Sequence, residues 1–219
     1  MNLPDRIREA LAPAHAEVER TPFAQGMASG RIGRAEYAAG LRQLGHLHAA
    51  LEAALAASAP RHPALAALYD PARMDRSSAI VRDRIALGAD GADPAKEPVK
   101  RLTDRIAEWA ALAPWALLGP LYVVEGSRMG SMFLTRSLGR ALGVDPLRPD
   151  SGLDYHAEGL ATRAQDWKRF RQGLADAPLT ESEADDVLRA AGAAMEGLVE
   201  MYAGLPTGST PSDPAGSAL

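Results

Sequence analysis

The chain has 219 residues, 47% of them apolar and 24% charged, with a formal net charge of −4. That length supports one globular domain with a sizeable core, and the mildly acidic balance argues against bulk attraction to nucleic acid or anionic lipid. There is no cysteine, which excludes disulfides, zinc–thiolate sites, iron–sulfur clusters and thiol nucleophiles.

Alanine (44) and leucine (27) dominate the apolar set, against 11 aromatic residues. These are strong helix formers, whereas strands draw on β-branched and aromatic side chains. The expected fold class is therefore all-α. The N-terminus, MNLPDRIREA, carries charges within ten residues and no apolar core of a secretory signal. The least polar stretch, Trp109–Val124, is broken by Pro114 and Pro120 and is too short to span a membrane. A cytoplasmic protein without a membrane span is the resulting expectation.

In chain order, the first helix is expected from Pro4 or Asp5 to about Arg20, with Pro13 kinking or splitting it. Thr21-Pro22 closes it, and Ser29–Gly33 reads as a turn. A long helix follows from about Arg34 to Ser58, with Tyr37, Leu41, Leu44, Leu47 (or His48), Leu51 and Leu55 recurring at steps of three and four. Pro60 and Pro63 interrupt the next segment. Asp75–Leu87 reads as a helix, 88–98 as a loop rich in turn formers, and Val99–Ala113 as an amphipathic helix. Leu118–Leu142 has helical periodicity. Leu153–Ala175 reads as one helix. Thr180–Gly204 is the last, opened by a capping-box pattern at Thr180 and Glu183. These elements make one helical domain over residues 1–205; residues 206–219, rich in Gly, Ser, Pro and Thr, are expected to be a disordered tail.

The segment LGPLYVVEGSRMGSMFLTRSLGRAL is unusual because it carries glycines in a helix interior, each costing roughly 1 kcal/mol relative to alanine. Gly126 and Gly130 are four apart and share a face, with Gly119 near it. Ser127 and Ser131 form a neighbouring small-residue stripe. A bare glycine face serves either a close helix–helix crossing or a flat ligand pressed on the backbone.

The five histidines are weighed separately. His15 lies mid-way along the first helix, with Glu19 one turn on and Arg8 two turns earlier on the same side; it is either a surface residue or a ligand whose second N–H is held by Glu19. His46 and His48 point about 200° apart on a helix and cannot be joint ligands. His48 falls near the apolar stripe, and His46 is expected to be exposed. His62 is expected to be solvated in a turn, and His156 to sit at the surface or cap a helix. Arg128 is expected to pair at the surface. Lys168 and Arg171 share one side of a late helix and read as a solvated face.

The stretch LYVVEGSRMG resembles the LYVLEGSxLGG stretch of bacterial heme oxygenases, most closely the type associated with bacteriophytochromes. Arg8 to Glu19 looks like that family's proximal helix, Tyr37–Leu55 like its second helix, and Trp167-Lys168-Arg169-Phe170 like its late W-x-x-F element. The order and spacing of these pieces carry the resemblance over roughly Arg8 to Leu205. It implies a single-domain heme oxygenase-like helical fold, with heme between a proximal N-terminal helix and a kinked, glycine-containing distal helix.

It implies further that His15 ligates the heme iron as a neutral imidazole, with Glu19 as its second-shell acceptor. Arg8, and more weakly Lys168 and Arg171, would meet the heme propionates. Gly126, Ser127, Gly130 and Ser131 would form the distal side where dioxygen reacts. The implied activity is cleavage of heme, as substrate and cofactor together, to biliverdin, carbon monoxide and iron. Electrons would come from a ferredoxin or an NADPH-dependent reductase, since no nucleotide-binding glycine motif follows a strand. A bacteriophytochrome is the implied recipient of biliverdin.

Two departures stand out. Ser127 replaces the carboxylate that the classical family uses to order water, though the phytochrome-associated branch commonly has Ser there. Ser131 replaces the second glycine of a terminal pair, where its hydroxyl would either bond distal water or narrow the slot. Two alternatives are a non-catalytic heme carrier or sensor on the same fold, and a heme-free di-iron oxidase or thiaminase-like hydrolase. Against the last stand the absence of any Glu-x-x-His pair and of cysteine, although Glu52, Glu125, Glu158, Glu196 and Glu200 are available.

Overall fold

A computed structural model describes residues 1–91 and 93–207; from residue 208 onward the expected tail lies outside the described residues. Among the described residues there are helices and no strands. The helices are α1 (Leu3–Arg20), α2 (Pro22–Ser29), α3 (Arg34–Ser58), α4 (Pro63–Leu68), α5 (Pro71–Met74) and α6 (Ser77–Ala86). They continue as α7 (Glu97–Leu112), α8 (Leu118–Leu142), α9 (Asp154–Ala157), α10 (Arg163–Ala175) and α11 (Glu181–Ala203). No helix among the described residues is long and apolar enough to cross a membrane.

α1 begins where Asn2 accepts the Asp5 amide at 3.0 Å and Pro4 occupies the first turn. It runs through Pro13 without a break. Pro13 is solvent-exposed, and the stripe Leu3, Ile7 and Leu11 on the other side is buried, so burial along the helix outweighs one lost backbone bond. Thr21 both ends α1 and starts α2, since its hydroxyl accepts the Ala24 amide at 3.3 Å and Pro22 follows. Thr21-Pro22 closes the first helix as expected, and a second, unexpected helix fills the segment before the turn at 29–33.

α3 buries Tyr37, Leu41, Leu44, Leu51 and Leu55 along the expected stripe. α11 is the central element. It opens with the Thr180–Glu183 capping box and packs against α1, α7 and α8. The region expected as one helix over 153–175 is two. Glu158 turns extended, Gly159 takes φ +73°, and the chain restarts at Arg163. A left-handed residue ends a helix, and Gly adopts it without a Cβ penalty.

α8 shows why its glycines differ. A Cβ on Gly119 would lie 2.5 Å from both the Ala191 amide nitrogen and the Val187 carbonyl oxygen of α11. That glycine permits a close backbone crossing. A Cβ on Gly126 would reach only the Trp167 ring of α10, at 3.4 Å, and one on Gly130 would meet nothing within 4 Å.

Candidate functional site: a cleft between the first helix and the glycine helix

α1 and α8 enclose a cleft of about 440 Å³, within the roughly 300–1,000 Å³ of small-molecule sites. From α1 it is lined by Arg8, Leu11 and His15, and from α8 by Tyr122, Val123, Gly126 and Ser127. Trp167 and Arg171 of α10 and Met195, Leu198 and Tyr202 of α11 complete the wall. The lining is mostly apolar. Tyr122 ties the two main walls together, its hydroxyl donating to the Pro4 carbonyl at 3.2 Å.

His15 presents its side chain 60% exposed on the cleft wall. Its Nδ1 lies 3.6 Å from Glu19 Oε1, ion-pair range but longer than a hydrogen bond. The spacing of α1 brings Arg8 to the same cleft, two turns from His15. Arg171 joins them from α10 and donates to Asp5 Oδ1 at 2.8 Å, while Arg8 lies 3.9 Å from the same oxygen. A single carboxylate thus sits between the two guanidinium groups.

On the opposite wall, absent side chains at Gly126 leave backbone and the Trp167 ring. The Ser127 hydroxyl donates to the Val124 carbonyl at 2.8 Å. With its proton held in the helix, Ser127 offers the cleft an acceptor lone pair in place of a carboxylate.

Three expected site residues lie elsewhere. Lys168 is exposed and outside the cleft lining, because on α10 it follows Trp167, which points in, by one position. Gly130 is open but is not a cleft residue. Ser131 is buried one turn beyond Ser127 and outside the cleft lining, where its hydroxyl donates to the Ser127 carbonyl at 3.3 Å and meets His156 Nδ1 at 3.1 Å. It neither narrows the cleft nor faces into it.

Several polar residues expected at the surface are interior. Arg128 is buried and paired with Glu125 at 2.8 Å. His156 is buried, and burial followed by the Arg163 charge pushes its pKa down to about 3, so the ring is neutral. His62 is largely covered, against Trp115 and near Glu183. His48 is buried as expected, between the Tyr155 hydroxyl at 3.2 Å and Glu52 at 3.3 Å, and His46 is exposed. Trp167 and Tyr122 are cleft walls that their own sequence positions do not mark. Their signal was the small residue at 126, which requires something bulky opposite it or a ligand. Among the described residues no group of three or more His, Asp or Glu side chains is placed to hold a metal ion, so a carboxylate-bridged di-iron centre has no site here.

The heme oxygenase family model matches residues 1–203. No curated protein sequence matches the chain. Among solved structures, the chain is similar to heme oxygenase-1 of the cyanobacterium Synechocystis in complex with heme. The TM-score is 0.80 at 20% identity, covering 92% of this chain and 91% of that one. Heme oxygenase-2 of the same organism, in complex with heme and NO, gives 0.81 at 21% identity, over 92% and 84%. The heme oxygenase of Leptospira interrogans gives 0.80 at 19% identity, over 94% and 100%. These likenesses establish a shared all-helical fold, and the match to the family model over nearly the whole chain establishes that it belongs to the heme oxygenase family.

Proposed function

We propose that the cleft between α1 and α8 holds heme and that the chain cleaves it to biliverdin, carbon monoxide and iron. One observation carries this reading: His15 and the Gly126–Ser127 step of the glycine helix line the same largely apolar cleft. The residues present fit the group. Apolar walls suit a porphyrin face, an imidazole suits iron, and a glycine opposite it admits a flat ring against backbone. Heme supplies both the redox-active iron and the carbon framework that is oxidised.

The chain's own residues then divide the work. His15 would hold the iron, and Glu19, 3.6 Å from its Nδ1, is the carboxylate placed to orient the imidazole. Arg8 and Arg171 meet the propionate edge, exchanging Asp5 for the incoming carboxylates. Gly126 lets the α8 backbone approach the ring, and the Ser127 oxygen orders water on that side. Dioxygen and electrons come from outside the chain, the electrons from a ferredoxin or an NADPH-dependent reductase, and the product passes to a bacteriophytochrome.

Hemin titration followed by reduction in air tests this. The expected result is an imidazole-ligated ferric spectrum, then loss of the Soret band and appearance of biliverdin absorption. A His15→Ala protein is expected to lose the imidazole spectrum while remaining folded. An unchanged spectrum in that variant removes His15 as ligand. A stable reduced heme with no biliverdin in the wild type refutes the activity.

A further inference from the structure

The rear of α8, away from the cleft, is polar where a helix packed into a protein is ordinarily apolar. Arg163 is only 1% exposed. Its guanidinium donates to three carbonyls, those of Arg128 at 2.9 Å, His156 at 3.0 Å and Glu158 at 2.7 Å. His156 meets the Ser131 hydroxyl, and Ser131 donates to the carbonyl of Ser127. The Thr135 hydroxyl adds a bond to the Ser131 carbonyl at 2.8 Å. The last two bonds lie within α8; the chain from α9 to the start of α10 holds the helix at the Arg128 carbonyl and the Ser131 hydroxyl, with the Thr135 hydroxyl 3.5 Å from the His156 carbonyl.

A buried guanidinium is costly; here both terminal nitrogens are engaged while Nε has no partner, and side-chain packing alone asks for no cation there. On the same stretch, a Cβ on Gly130 would meet nothing within 4 Å and one on Gly126 only a tryptophan ring. A helix weakened by glycines and unsupported on one face bends readily, so its position is set by whatever holds the other face. Ser127, part of the cleft wall, lies one helical turn before Ser131 and accepts its hydroxyl.

We propose that Arg163, His156 and Ser131 form a brace that positions the Gly126–Ser127 step of α8 over bound heme, a role that rests on reading the cleft as the heme site. None of the three lines the cleft, so they are positioning residues. Ser131 is thereby more than a tolerated replacement for glycine: its hydroxyl is where His156 holds α8, one turn from the cleft wall.

The test uses Ser131→Ala and Arg163→Lys proteins loaded with hemin. Alanine removes the hydroxyl with little change of volume, and lysine keeps the charge but cannot reach three carbonyls. The measurements are the pH midpoint between the acid and alkaline forms of the ferric spectrum and the C–O stretching frequency of the ferrous carbon monoxide form. Hemin affinity and thermal midpoint are recorded alongside. Both variants are expected to bind hemin within about threefold of wild type, a difference under 1 kcal/mol. Both are expected to move the acid–alkaline midpoint by about half a unit or more and to shift the C–O frequency. If Arg163→Lys does not fold, Ser131→Ala alone decides. Wild-type spectra in the folded variants, with only the thermal midpoint lowered, overturn the brace. A wild-type protein that shows no imidazole-ligated heme instead overturns the cleft reading, and the brace with it.

Discussion

Alanine placed at Gly119, Gly126 and Gly130 of α8 separates packing from function, because the space at each is different. At Gly119 the new methyl would stand 2.5 Å from two backbone atoms of α11. Neither can swing away as a side chain can, so α8 and α11 must part, a strain of roughly 1–3 kcal/mol or more. At Gly126 the methyl meets one tryptophan ring at 3.4 Å, and at Gly130 it meets nothing. There the helix gains up to about 1 kcal/mol from replacing glycine with alanine. One kcal/mol moves the midpoint of a domain this size by roughly 2–4 °C. Thermal unfolding of the heme-free proteins is therefore expected to rank Gly130→Ala at or above wild type, Gly126→Ala near it, and Gly119→Ala several degrees below.

Hemin reverses the order of interest. Gly126→Ala adds its methyl on the cleft wall, so the α8 backbone must stand further from the ring, and the rate or the distribution of biliverdin isomers is expected to change. Gly130→Ala lies outside the cleft lining and is expected to change them less. Two results refute the reasoning. One is a Gly126→Ala protein as unstable as Gly119→Ala, which would make Gly126 a packing residue. The other is a stable Gly126→Ala protein with the wild-type rate and isomer distribution.

Two further outcomes follow from buried or paired charge. His156 is held neutral, with its pKa at about 3, against about 6.5 in an unfolded chain. The unfolded state therefore takes up the proton first, and stability that is present above pH 6.5 is lost as pH falls. Between pH 7 and 5 this costs about 2 kcal/mol. Burial pushes Asp83 the other way, to about 7, so its protonation in the folded state contributes about 2 kcal/mol over the same range and offsets that loss in the wild type. Urea unfolding at the two pH values is expected to show wild type losing about 2 kcal/mol more than His156→Gln; parallel losses would contradict the buried neutral ring. Asp5→Asn frees Arg8 and Arg171 from the carboxylate between them. Hemin affinity is expected to rise a few fold at low salt, with the gain shrinking at high salt. Weaker binding, with the fold intact, would show that Asp5 supports the cleft instead of competing for its arginines.

Much of the fold was legible because periodicity and punctuation carry it. The stripe of α3, the bounds of α8 and the Thr180–Glu183 cap all follow from spacing. Two errors came from treating one signal as having one meaning. Thr21-Pro22 ends α1 and also starts α2, since a threonine hydroxyl caps the helix that follows it as proline fits its first turn. Gly159 breaks the segment after α9, a role its neighbours hide by their helical composition. The cleft was legible in part. His15, Arg8, Gly126 and Ser127 meet there, with Arg171, but Lys168, Gly130 and Ser131 do not.

What stayed hidden is the polar interior. Arg128, His156 and Arg163 belong to residue types that are exposed in most proteins, and helical spacing says which face a residue occupies but not what covers that face. The same limit applies to the glycines. Three of one residue type on one helix, near one face, meet a backbone, an aromatic ring and open space. Their roles are assigned by the opposing element, which comes from 40 to 70 residues further along the chain, and no local pattern contains it. The departure at Ser131 follows the same logic. Judged along α8 it stands where a glycine is expected and looks like an obstruction. Judged against His156, 25 residues away, it is a bonded partner. A serine there suits a helix supported from behind, and a glycine would leave the His156 nitrogen without its partner.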